Sequence, residues 1–147
     1  TVAILLSIYY IRLDNIAYLK ASYQQETATA YYTEVISQIK STEKYNSNLP
    51  VLFYGAAGSM DDSIPILWRF DDIQLQGYSN NMHDFISYYA GKEFLELHCG
   101  YTYQEPENRE MIIASENFQK MPCYPCDGSI KIIDGVIVVK WSNFEAR

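Results

Sequence analysis

Cys123-Tyr124-Pro125-Cys126 is the string in this sequence best suited to chemistry, because two thiols at this spacing can hold a metal or exchange electrons. Redox work wants the first thiol at a helix N-terminus, where the helix dipole lowers its pKa. Here Pro122 and Pro125 oppose a helix across the pair, and Asp127-Gly128 leads into a strand pattern instead. A zinc site would recruit His98 and Cys99, giving a chemically adequate set of thiolates and an imidazole. A disulfide from Cys99 to Cys123 or Cys126 is a third use in an oxidising compartment, and 3 cysteines leave one thiol over. Buried or idle thiols are the plain alternative and the leading expectation. No cofactor is expected.

A second group lies further upstream. Gly55-Ala-Ala-Gly58-Ser59 follows a short apolar run, where a strand's carboxyl end would give it the position of a pocket rim. It lacks the G-x-G-x-x-G spacing and the Lys-Ser/Thr of a phosphate-cradling loop. Asp61-Asp62 and Asp71-Asp72 could do acid–base work or bind Ca²⁺. Adjacent residues on an extended loop point opposite ways, however, so a solvated acidic loop is the default. The ligand-rim candidates are Gly55, Gly58, Asp61, Asp62 and the nearby Trp68. His83 and His98 are the only imidazoles, and no local signature sets a Ser or Cys nucleophile against either. No residue is assigned a catalytic role.

The elements that must position these residues read as an α/β domain. Residues 14–40 carry an amphipathic pattern, with Ile16, Leu19, Tyr23, Tyr31, Val35 and Ile39 at helical spacing and Tyr32 and Ile36 widening the stripe. Asp14 could cap this helix, or one helix could run from the first residues to about Lys40. Residues 46–50 (NSNLP) break it, and residues 51–54 (VLFY) then suit a strand covered on both faces. Residues 64–70 and 73–76 read equally as strands or irregular chain. A helix is expected from Asn80-Asn81 to a stop at Gly91, a strand at residues 94–98, and a helix over 106–119 with Pro106 at its first position.

Asp134-Gly135 is a strong hairpin signal. It pairs Ile133 with Val136, Ile132 with Ile137 and Ile130 with Val139. Ile130, Ile132, Ile137, Val139 and Trp141 then share one face, and Lys131, Ile133, Val136, Val138 and Lys140 the other, wetter at its lysine end. A small mixed sheet with helices packed on its faces is implied.

The chain has 147 residues, about one domain's worth. Its 14 Tyr, 6 Phe and 2 Trp argue against intrinsic disorder. A net charge of −7 excludes nucleic acid or anionic lipid bound through a basic footprint. Residues 1–11 (TVAILLSIYYI) are uncharged and mostly apolar, yet span only about half a bilayer's hydrocarbon core. They read either as a buried first element or as the outer end of a transmembrane helix, with Tyr9 and Tyr10 at headgroup level.

Two stretches carry a resemblance. Asp14-Asn15-Ile16-Ala17-Tyr18-Leu19-Lys20 with its long helix, and Met121-Pro122 through Tyr124-Pro125 and Gly128-Ser129 to the closing hairpin, resemble the end of bacterial type II O-antigen glucosyltransferases. The two cysteines of the Tyr-Pro-x-x-Gly-Ser region are not part of that family's pattern. The resemblance implies a polytopic membrane enzyme that moves glucose from a polyprenyl-phosphate carrier to a cell-surface polysaccharide. Its catalytic acidic residues would lie upstream of residue 1, and none transfers to this chain. Residues 1–13 would end the last membrane span, and residues 14–147 would form a soluble extracytoplasmic domain facing the periplasm or cell exterior. Its partners would be the upstream membrane domain, the membrane through the N-terminal segment, and a glycan acceptor. A carbohydrate-binding or structural interaction module, using exposed Tyr and Trp68, and a small thiol or zinc protein are the alternatives.

Overall fold

The computed structural model describes residues 2–55 and 88–143. Three β-strands form a mixed sheet flanked by helices, as the sequence pattern implies. One helix, α1, runs unbroken over Val2–Ser41, so Asp14 is an interior residue rather than a cap. Among the described side chains, its buried stripe runs from Ala28 through Tyr32, Val35, Ile36 and Ile39. Leu19, placed on the stripe by its spacing, is exposed instead. Among the described residues, the helix meets the body only along its carboxyl half.

Strand β1 (Val51–Tyr54) is buried at all four positions. Strands β2 (Ile130–Ile133) and β3 (Val136–Lys140) form the hairpin, with the register Ile133–Val136, Ile132–Ile137 and Ile130–Val139. Asp134 and Gly135 both take positive φ (48° and 80°), as the two-residue turn between right-twisted strands requires. Strand β3 is central, antiparallel to β2 and parallel to β1.

Each face of the sheet has its own core. Val51, Phe53, Ile137 and Val139 pack with Tyr32, Val35 and Ile39 of α1 and with Phe94, Leu95 and Tyr101. Leu52, Tyr54, Ile133, Val136 and Val138 pack with Ile112, Phe118 and Met121 on the opposite side.

The middle of the chain departs from its sequence pattern. A single helix, α2 (Tyr88–Cys99), replaces the expected stop at Gly91 and the strand at 94–98. Phe94 and Leu95 are buried while Leu97 is 79% exposed, so the apolar residues serve a helical face. The Phe94 and His98 rings, one turn apart, lie 4.7 Å from each other. The stop is Gly100, whose φ of 61° reverses the chain so that Tyr101 N–H closes on Leu95 O at 2.9 Å.

The helix expected over 106–119 is two short ones, α3 (Arg109–Ala114) and α4 (Glu116–Gln119). Ser115 divides them. Its hydroxyl donates to Ile112 O at 2.7 Å and accepts from Phe118 N–H at 3.2 Å, ending one helix and capping the next. Pro106 is buried ahead of α3 rather than at its first position. The expectations for residues 64–70, 73–76 and the start of the 80–91 helix lie outside the described residues.

Tyrosines supply much of the first core. Tyr32 packs its ring against Phe94 at 5.8 Å and Trp141 at 6.2 Å, and Phe53 stacks on Trp141 at 5.0 Å. Burial disfavours the phenolate in these places, pushing Tyr101 up to about 12 and Tyr31 and Tyr32 higher still. An unfolded tyrosine ionises near pH ~10. Above that pH the unfolded chain therefore binds fewer protons than the folded one, and stability falls as pH rises. The melting temperature should decline steadily between about pH 10 and pH 12, with a late tyrosinate absorbance step coincident with unfolding. A melting temperature constant across that range would contradict the burial of these hydroxyls.

Candidate functional site

The residues singled out for chemistry do not converge. Gly58, Asp61, Asp62, Trp68, Asp71, Asp72 and His83 lie outside the described residues. Gly55 follows β1 with a φ of 88°, and a Cβ there would fall 2.6 Å from the Ser142 amide nitrogen. Glycine is demanded at this position by the close approach of two backbones.

All three cysteines are free thiols. Cys99, half-buried at the end of α2, packs against the first core, and burial raises its pKa. Its use is that of a small apolar side chain. His98 is exposed, with Nδ1 3.1 Å from Gln25 Nε2 of α1. Among the described residues, no three His, Cys, Asp or Glu side chains are grouped to hold a metal ion.

The Cys123–Ser129 segment makes a compact turn, with Cys126 N–H donating to Cys123 O at 3.0 Å and Ser129 N–H to Cys126 O at 3.1 Å. Tyr124 docks this turn on α1. Its ring meets Tyr31 edge-on at 5.7 Å, and burial, together with the Glu34 carboxylate, pushes its pKa up. Gly128 supplies a φ of 83°, and Ser129 is buried. The Tyr-Pro-x-x-Gly-Ser string is thus a docking module held between α1 and β3.

Lys140 holds the other side of that module, and it corrects the expectation of a wetter lysine end. The residue is only 2% exposed. Its Nζ donates to Met121 O at 2.9 Å and Phe118 O at 3.3 Å, and lies 4.8 Å from the centre of the Phe118 ring. Its backbone N–H donates to Ser129 O at 3.0 Å, and its carbonyl accepts from Tyr124 N–H at 2.7 Å. A cation here suits the negative, carbonyl end of α4, where Phe118 O also accepts from the Met121 N–H at 3.1 Å. Spacing alone does not reveal this role, since a lysine at the end of a strand usually reaches water.

A small cavity sits on the first face, bounded by Val51, Leu52, Phe53, Tyr103 and Glu105. Its volume of about 10 Å³ suits one water molecule rather than a sugar ring. Above it, Tyr103 stands 5.1 Å from Phe53 and 6.3 Å from Tyr101, with Lys92 Nζ 5.4 Å over the Tyr103 ring. Of the described candidates, Cys99 packs against the first core, His98 meets Gln25, and Cys126 is an exposed thiol.

No protein-family model, no curated protein and no solved structure matches this chain.

Replacing Lys140 by Met keeps the apolar stem but removes the Nζ donor from the Met121 and Phe118 carbonyls, leaving Phe118 O with the Met121 N–H. We expect Lys140→Met to cost about 2 kcal/mol, the usual cost of stranding buried polar groups. That corresponds to roughly 8 °C in melting temperature for a chain of this size. Lys131→Met, at an exposed position on the same hairpin, should change stability by less than ~0.5 kcal/mol. Equal effects for the two substitutions, measured by thermal unfolding, would contradict the role given to Lys140.

Proposed function

We propose that this chain is an extracytoplasmic, non-catalytic domain of a membrane glucosyltransferase, attached to the bilayer through α1. The parent enzyme moves glucose from a polyprenyl-phosphate carrier to a cell-surface polysaccharide such as an O-antigen. The domain faces the periplasm or cell exterior and contributes docking to the upstream membrane domain or to the glycan acceptor.

The observation that carries the membrane attachment is the amino end of α1. Val2, Ile4, Leu5, Leu6, Ile8, Tyr9, Tyr10 and Ile11 are all between 52% and 71% exposed. They surround the helix rather than forming one stripe, which is the pattern of a helix solvated by lipid. Ser7, the one aliphatic hydroxyl among them, donates to Ala3 O at 2.9 Å, so its polar group is satisfied within the helix. Among the described residues, no helix is long and apolar enough to cross a membrane.

The glucosyltransferase assignment rests on the likeness of the Tyr124-Pro125 and Gly128-Ser129 string, with its closing hairpin, to that family.

Flotation with neutral phosphatidylcholine vesicles tests the attachment, since a net charge of −7 gives no electrostatic attraction to confuse the result. The chain should float with the vesicles. The double substitution Leu5→Glu and Ile8→Glu should lower vesicle binding by about a hundredfold, from the loss of two buried aliphatic side chains, and should leave the melting temperature unchanged. Purified chain given polyprenyl-phosphate glucose and polysaccharide should transfer no glucose. Measurable transfer, or flotation unaffected by the two glutamates, would refute the proposal.

A further inference from the structure

Resting on that membrane reading, we infer that residues 12–24 of α1 are a rigid stalk that holds the sheet domain about 20 Å from the bilayer surface, at about 1.5 Å per helical residue. Three observations place its two ends. The uncharged stretch stops at Ile11, and Arg12, Asp14 and Asn15 follow as exposed residues. Drawing Asp14 into hydrocarbon would oppose insertion strongly, so the bilayer boundary falls at Arg12. At the other end, Gln25 makes the hydrogen bond to His98, and Ala28 is the first buried side chain described on α1.

Between these ends the backbone remains one uninterrupted α-helix, with no proline or glycine over residues 2–41. Tyr18 and Leu19 are 75% and 56% exposed, so at these positions the helix does not lie against the described part of the domain. Tyr32, Val35 and Ile39, at 1% exposure or less, fix the same helix in the core. The membrane end and the domain are therefore two ends of one rod. A separation of about 20 Å is roughly twice the screening length at physiological salt. The acidic domain thus stands clear of anionic lipid, and its membrane-facing side opens onto water.

Spin labels on the full vesicle-bound chain test this, in a background of Cys99→Ala, Cys123→Ser and Cys126→Ser. A nitroxide at Tyr10→Cys should be accessible to oxygen and shielded from a water-soluble nickel chelate, and one at Glu26→Cys should show the reverse. The pair Tyr10→Cys and Ser37→Cys should give one narrow distance near about 40 Å along the helix axis. A label at residue 26 shielded by lipid, or a broad or shorter distance distribution while the chain still floats, would overturn the stalk. Failure to float would overturn the membrane reading itself. Should the cysteine background unfold, the chain with its cysteines kept gives the same answer by tryptophan quenching. Lipid brominated in its acyl chains should quench Tyr10→Trp and leave Tyr18→Trp unaffected, and equal quenching would refute the stalk.

Discussion

Lys140 is the point on which the architecture turns. Its Nζ takes up two carbonyls, from Phe118 and Met121, and its backbone takes up Ser129 and Tyr124. On the opposite edge of the same strand it is in register with Tyr54, and the Trp141 N–H donates to Tyr54 O at 2.8 Å. One buried residue therefore joins the end of α4, the 123–129 turn and both neighbours of the central strand. A lysine without those acceptors would be driven out of such a place by the cost of desolvating its charge. The acceptors, in turn, are carbonyls at and just beyond the end of a short helix, and Phe118 O accepts from the Met121 N–H at 3.1 Å as well as from the lysine. Each side of the arrangement requires the other.

Around that point the sheet divides the domain into two unequal tasks. The face carrying Val138 and Lys140 is closed by the local segment of α3 and α4, whose break at Ser115 sets the angle at which Phe118 meets Tyr54, 4.8 Å between ring centres. The face carrying Ile137 and Val139 is closed by residues distant in sequence, from α1 and α2, and is rich in aromatic rings. Tyr124 bridges the two tasks, since its backbone is tied to β3 and its ring is seated on α1. This is how the long helix α1 is coupled to the β2–β3 hairpin.

The parts legible from residues were those in which one local rule decides. The Asp134-Gly135 turn set the register of β2 and β3 down to each pair, and the four apolar residues of β1 declared a strand buried on both faces. The carboxyl part of α1 followed its periodicity at Tyr32, Val35, Ile36 and Ile39. Failures came where two rules competed. Phe94, Leu95 and Leu97 suit a strand or a helix, and the four-residue relation of Phe94 to His98 decided for the helix. Ser115 looked like an interior helix residue, but its hydroxyl competes for backbone partners at both sides. Lys140 was misjudged because burial of a cation depends on carbonyls about 20 residues earlier, which no local pattern supplies.

The candidate site shows the same division. Gly55 was expected at the rim of a ligand pocket, and what the structure gives it is a close approach to Ser142. The Cys123 and Cys126 pair sits on a docking turn, and Cys99 belongs to a core. What these residues share is assembly of a domain at the end of a long helix. Native-state hydrogen exchange tests that account most directly, read at the amides of Tyr124, Lys140 and Trp141. If the turn and the central strand are one cooperative unit locked by Lys140, all three amides exchange only through global unfolding, with a common opening free energy equal to that of the whole domain. Exchange at Tyr124 through a lower-energy local opening, with Lys140 and Trp141 still protected, would show that the lysine does not hold the turn and would contradict the account.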